Sequence, residues 1–450
     1  MKLAWPLRRT SPGGLAAKYQ DRVVGQSSSH SEGLEWHVRR KLMKTAHLKK
    51  IMTVESRASN RESSAETGGF ESFSLVGGPI NDLAVRGAAR LGLRNNLHFG
   101  IALSMVLWIV LVLLAMVNGS ANQLFSIGAL PVHARLLVAI PLLFLCERLF
   151  DNAVRQTCRG LVRSGVVAGE VKAALDRDAD RLSSLSNSIP IQLGLLLIVV
   201  AFGILVPFGS LPGAAIVETS AGPTSMPTAA AWYALVCLPI SRFVVARFFW
   251  LLALWSFLLW RLSRRPLALR ASHPDRAGGL GLLQVAQGQL VWFVLALATM
   301  DAAALAATYQ YAEVNEQEIY LRAFLVAAIG VAIAVGPLLV MFAPLGRCRW
   351  AGLADYGTLA HEYASRFGRR WTEPAKPNYD DLLGASDIQS LADLSNSYAN
   401  VRAMRTLPMD TRLLSTIICC ASLPHVPLLL MKYPISELAA KVVQSLIGLP

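Results

Sequence analysis

Between residues 97 and 345 the chain alternates long apolar blocks with short polar ones. Helices of about 20 apolar residues cross a hydrocarbon core of about 30 Å. The first block is about Leu97–Val117, with FGIALSMVLWIVLVLLAMV at its centre. The next are about Ala134–Phe150, Pro190–Phe208, Ala230–Leu262, Gln289–Thr308 and Tyr320–Leu345. Pro190 suits the first turn of its helix. A seventh stretch, Leu413–Met431, is interrupted by Pro424 and Pro427 and crosses or dips back. The blocks do not alternate residue by residue, as the strands of a membrane barrel would. The expected fold is all-α: a transmembrane helical bundle of six or seven spans.

Four regions follow. Residues 1–95 hold no spanning run and no secretory signal, and their Ser-rich and charged stretches read as mostly disordered. Residues 96–346 form the membrane domain, with a helical extension over 151–188. Residues 347–412 form a helical pair outside the membrane. Residues 413–450 carry the seventh stretch and ELAAKVVQSLIGLP, which reads as an interfacial helix. Six of the ten lysines fall within the first 50 residues, while the rest of the chain is Arg-rich. That asymmetry points to a start at Met43 or Met52, or to a basic tail on the membrane surface.

In the pair, Leu353, Tyr356, Leu359, Tyr363 and Phe367 recur at helical spacing. Ser386 and Gln389 make a capping box for a second helix with Ile388, Leu391, Ser395, Tyr398 and Arg402 on one face. This pair is too short for a typical catalytic domain. It reads as a cap that docks on the bundle or on a partner.

Charge then orients the bundle. Only 16% of the residues are charged, against about 25% in soluble domains. The loops 118–133, 209–229 and 309–319 lack Lys and Arg, whereas the alternate loops are rich in Arg. By the positive-inside rule the Arg-rich loops and the N-terminus face the cytoplasm. The net charge of +14 thus lies against acidic lipid headgroups, and nucleic acid is not an expected partner. Arg155, Arg159 and Arg163 share one helix face, read as solvated near lipid. The six cysteines form no CxxC pair and none lies in an external loop, so no structural disulfide is expected.

Two groups could carry chemistry. Ala231–Trp260 spans 30 residues, about 45 Å as helix, so it tilts, protrudes or kinks at Pro239. It carries Arg242 and Arg247, and a guanidinium inside hydrocarbon needs a partner. Asp301, thirteenth in the fifth span, is the expected counter-ion. The group reads as an ion or proton pathway, an anionic-ligand site or a structural ion pair. The second group is HPDRAGGLGLL. Its His273 and Asp275 suit an acid–base pair or two metal ligands. Gly278, Gly279 and Gly281 expose amides to an anion, which Arg270 and Arg276 would assist. No third metal ligand is local, although His361, Asp381, Asp387 and Asp393 share the compartment. The plainer reading is a structured turn between spans. No Walker pattern, no strand-borne GxGxxG and no cofactor motif is present. His-Pro-Asp also marks J-domains, but there it joins soluble helices. HEYAS at His361 lacks the second His of a zinc protease motif. Glu147 and Arg148 read as ordinary interface residues.

RFVVARFFWLLALWSFLLWRLSRRPLALRASHPDRAGGLGLL and LLGASDIQSLADLSNSYANVRAMRTLP resemble a family of uncharacterised multipass bacterial inner-membrane proteins, from about Phe70 onward. The resemblance implies location and architecture but no catalytic residues. Three functions follow as expectations: movement or sensing of a small solute or ion; a scaffold docking a cytoplasmic protein or a second copy of the chain; and, least supported, an enzyme acting on a membrane lipid.

Overall fold

The computed structural model describes residues 69–77, 96–205, 228–309, 313, 315–373 and 385–430. Among these there are helices and no strands. We number the principal helices α1 (Asn96–Val117), α2 (Ile140–Arg163), α3 (Gly169–Ser186), α4 (Ile189–Leu205), α5 (Leu238–Ser263), α6 (Val291–Thr308), α7 (Glu316–Val335), α8 (Phe342–Trp371), α9 (Ser386–Arg402) and α10 (Thr411–Ser422).

Six continuous helical stretches are long and apolar enough to cross a membrane: Leu97–Val117, Ile127–Arg163, Thr228–Ser263, Leu283–Thr308, Glu316–Trp371 and Thr411–Leu430. The block expected at 190–208 is different. As α4 it has 17 residues, and it reaches spanning length only together with the polar α3, across a 50° bend. The seventh stretch, by contrast, is long enough, because one 3-10 turn at Leu423–His425 absorbs Pro424. The 374–384 linker, the closing ELAAKVVQSLIGLP segment and both proposed starts lie outside the described residues.

Prolines shape the spans. Pro141 and Pro239 sit in the first turn of α2 and α5, and a π-helical segment precedes each, at Ala134–Ala139 and Tyr233–Cys237. A proline removes one backbone donor, and the freed carbonyls are reached by widening the preceding turn. The expected distortion at Pro239 is therefore a widened turn.

At the centre, α6 packs against α2, α7 and α10, and α5 packs against α2, α3 and α4. Phe248 stacks on Phe293 at 4.4 Å between ring centres, and Phe150 meets Trp255 edge-on at 6.3 Å. These rings tie α2, α5 and α6 into one buried cluster, where aromatic pairs add about 0.5–1.5 kcal/mol beyond burial.

The Arg-rich end is tightly knit. Part of the expected disordered region is packed: Phe70, Phe73 and Leu75 are buried. Asp151 Oδ1 accepts from the Leu75 and Val76 amides at 2.7 and 3.1 Å, and Asp176 Oδ1 accepts from the Phe70 amide. Arg155 pairs with Asp151, and Arg159 donates to the Glu71 carbonyl. That face of α2 grips the 69–77 segment as well as meeting solvent. The helical pair docks on the bundle. Tyr356 donates to Ser272 or accepts from it at 2.9 Å, and the Arg405 amide donates to the Arg276 carbonyl at 2.7 Å. The capping box at Ser386 does not form, since Ala385 occupies the cap position and Gln389 bonds Asp393.

Candidate functional site

The expected Arg–Asp301 contact between the fourth and fifth spans does not occur. Arg247 pairs with Glu147 of α2: Nη1 donates to Oε2 at 3.0 Å, and Nη2 lies 2.7 Å from Oε1. Both residues are buried, at 6% and 7% exposure. The α2–α5 contact through Phe150 and Phe248 sets these two side chains opposite each other, and a charge left alone there would be costly. Glu147 reads as an interface residue only in one dimension; its place on the α5-facing side of α2 is a tertiary fact.

Asp301 instead meets residues far along the chain. Arg322 of α7 donates to Oδ1 at 3.3 Å, and His425 Nε2 lies 3.1 Å from Oδ2. Glu318, one turn before Arg322, holds the same guanidinium at 3.1 Å. His425 is 2% exposed, and its Nδ1 is 3.1 Å from the Ala421 carbonyl. The ring is therefore flanked by two acceptors. A neutral imidazole has one donor. Both contacts become hydrogen bonds only if one further proton sits between His425 and Asp301, on Nε2 or on the carboxyl. His133 shows the contrast. Its Nε2 donates to the Leu124 carbonyl at 2.7 Å and its Nδ1 accepts from Trp108 at 3.0 Å, so a neutral ring satisfies both. A histidine between Pro424 and Pro427 in an apolar stretch was the sequence signal for this site.

Arg242 follows neither acid. Its guanidinium lies over the Phe202 ring, 5.5 Å from the centroid, and among the described residues it has no acidic partner. Arg135, which sequence reading passed over, bonds the Tyr233 hydroxyl. Thus each π-helical segment contributes one member of this contact.

The HPDRAGGLGLL stretch closes on itself. Asp275 accepts from the amides of Ala277 at 2.8 Å, Gly279 at 3.1 Å and Gly281 at 2.9 Å, and His273 Nδ1 lies 2.8 Å from Oδ1. The glycine amides expected to await an external anion hold this carboxylate instead. Burial alone would raise its pKa; the amides and His273 outweigh that and hold it below the usual aspartate range. An acid already committed to three amide donors is poorly placed for acid–base catalysis. Gly278 and Gly279 adopt φ of 64° and 96°, open to glycine, and Arg276 takes φ 54° while its carbonyl anchors Arg405. A Cβ on Gly281 would come 3.0 Å from Asp275 Oδ2. Among the described residues no three His, Cys, Asp or Glu side chains converge as a metal site.

No protein-family model, no curated protein and no solved structure matches the chain.

Proposed function

We propose that the protein is a multi-pass bacterial inner-membrane protein that moves or senses a small solute or ion, with its working cycle linked to the proton held by His425 and Asp301. The location follows the resemblance of the two quoted stretches, and the Arg-rich end faces the cytoplasm by the positive-inside rule. One observation carries the reading: three apolar helical stretches bring Asp301, Arg322 and His425 together in an arrangement that one proton completes. Ionisable groups among spans are costly and mark pathways or relays. The charged neighbours of the pair are Arg322 and, through it, Glu318. Losing the proton leaves the ring one donor for two acceptors, so it forfeits either the Asp301 or the Ala421 contact; a resulting change in the packing of α10 on α6 is the coupling step.

The test is flux in proteoliposomes containing a pH dye and a potential dye, comparing the native chain with Asp301→Asn and His425→Gln at equal insertion. Loss of proton-linked flux in both variants is expected. Native flux with either variant would overturn the reading. The docking alternative rests on Leu359 and Ile388, apolar and exposed on the α8–α9 pair. It expects Ile388→Asp to abolish function while flux through Asp301 variants is unchanged.

A further inference from the structure

A cavity of about 850 Å³ opens between α1, α2, α4 and α5. Its wall is apolar over most of its area, with Phe99, Leu193, Leu196, Val200, Leu235 and Phe243 among its residues. Such a size lies within the range of about 300–1,000 Å³ that holds small molecules. An apolar trough facing lipid would need no further account. This one also contains an unmet amide oxygen and a cation that has no acidic partner among the described residues.

Gln192 is 6% exposed; its Nε2 donates to the Ser186 carbonyl, while its Oε1 has no partner among the described residues. Arg247 is different: both of its terminal nitrogens face Glu147, at 3.0 and 2.7 Å, so its charge is compensated. The unmet Gln192 oxygen is an acceptor and calls for a donor, such as a hydroxyl, which the oxygens of an anion do not supply. Arg242 lines the same cavity with only the Phe202 ring against it. Arg135 is engaged with the Tyr233 hydroxyl and ring and does not line the cavity. A cation without an acidic partner in a low-dielectric site attracts an anion strongly. An aqueous anion would have to cross the apolar walls, whereas a chain-bearing one brings its own match to them.

We propose that this cavity binds an acidic phospholipid of the surrounding membrane, with an acyl chain along Leu193, Leu196 and Val200 and the phosphate on Arg242. This site is separate from the Asp301–His425 pair and stands or falls independently of it.

The experiment is native mass spectrometry of the delipidated full chain in detergent, titrated with phosphatidylglycerol or phosphatidylcholine of identical chains. Phosphatidylglycerol is expected to bind at least about tenfold tighter, a difference of about 1.4 kcal/mol. Arg242→Gln should remove that preference and Arg242→Lys should keep it. Leu196→Trp, which fills the trough and leaves the charges, should weaken both lipids. The lipid-free melting temperature of each variant checks folding. Equal binding of the two lipids to the native chain overturns the proposal, as does a preference that survives Arg242→Gln. Displacement of phosphatidylglycerol by millimolar inorganic phosphate would also overturn it, in favour of a soluble anion.

Discussion

At the Arg-rich end, acids are surrounded by donors. Asp151 holds two amides and Arg155, Asp178 holds Arg261 and Arg265, and Asp275 holds three amides and His273. Between the apolar spans the balance differs. Asp301 faces the ring nitrogen of His425, and Arg242 and Arg135 meet rings and a hydroxyl where an acid would be expected. Saturated charges fix one geometry, because every alternative breaks several bonds at once. Incomplete ones leave room for a proton or a ligand, and such changes of occupancy drive membrane proteins between states. Glu147–Arg247 lies between these extremes, a mutually paired couple at the edge of the cavity.

The largest effect that would sharpen this contrast concerns Glu147. Glu147→Ala strands a buried guanidinium and should cost about 3–5 kcal/mol, read from unfolding in detergent. Glu147→Leu combined with Arg247→Met should recover most of that loss. A double variant as unstable as the single one would show that the pair contributes more than compensation of charge.

Next comes Asp275→Asn, which turns one accepting oxygen into a donor facing the Gly279 and Gly281 amides. The expected cost is about 1.5–3 kcal/mol. The same position predicts a pH dependence. Asp275 titrates lower in the folded protein than in the unfolded chain. Its stabilisation is present above the unfolded value, near 3.9, and is lost as pH falls through the lower folded value. Asp178 acts in the same direction: burial opposes ionisation, but Arg261 and Arg265 prevail. The acid limb of a melting-temperature profile should therefore flatten in Asp275→Asn. An unchanged limb would place the acid sensitivity elsewhere.

The smallest effect on stability is expected at Asp301, where the carboxyl is partly exposed. Asp301→Asn should change stability by at most about 1 kcal/mol and yet abolish flux. Severe unfolding of this variant would erase the distinction between the two regions.

The bundle was legible because lipid demands it: a backbone in hydrocarbon must be helical, and apolar length announces the span. The positions of Pro141 and Pro239, the amphipathic α8 and the turn at His273–Gly281 follow from local chemistry and are visible in one dimension. The 69–77 segment was missed because Phe70, Phe73 and Leu75 are too few and too short a run to signal a core; the segment is anchored by Asp151 of α2 and by Asp176 and Ser186 of α3.

Sequence by itself determined that Arg242, Arg247 and Asp301 are anomalous, since ionisable residues stand out against an apolar background. It also determined that glycines crowd around Asp275. Only the tertiary structure decided who meets whom. Glu147 and Arg247 are 100 positions apart, and Asp301 and His425 are 124 apart. Their pairing depends on which helix faces abut, and helix packing is set by side-chain shape over whole surfaces. Proximity along the chain favoured Arg247 with Asp301; the packing of α2 on α5 and of α10 on α6 assigned both residues other partners.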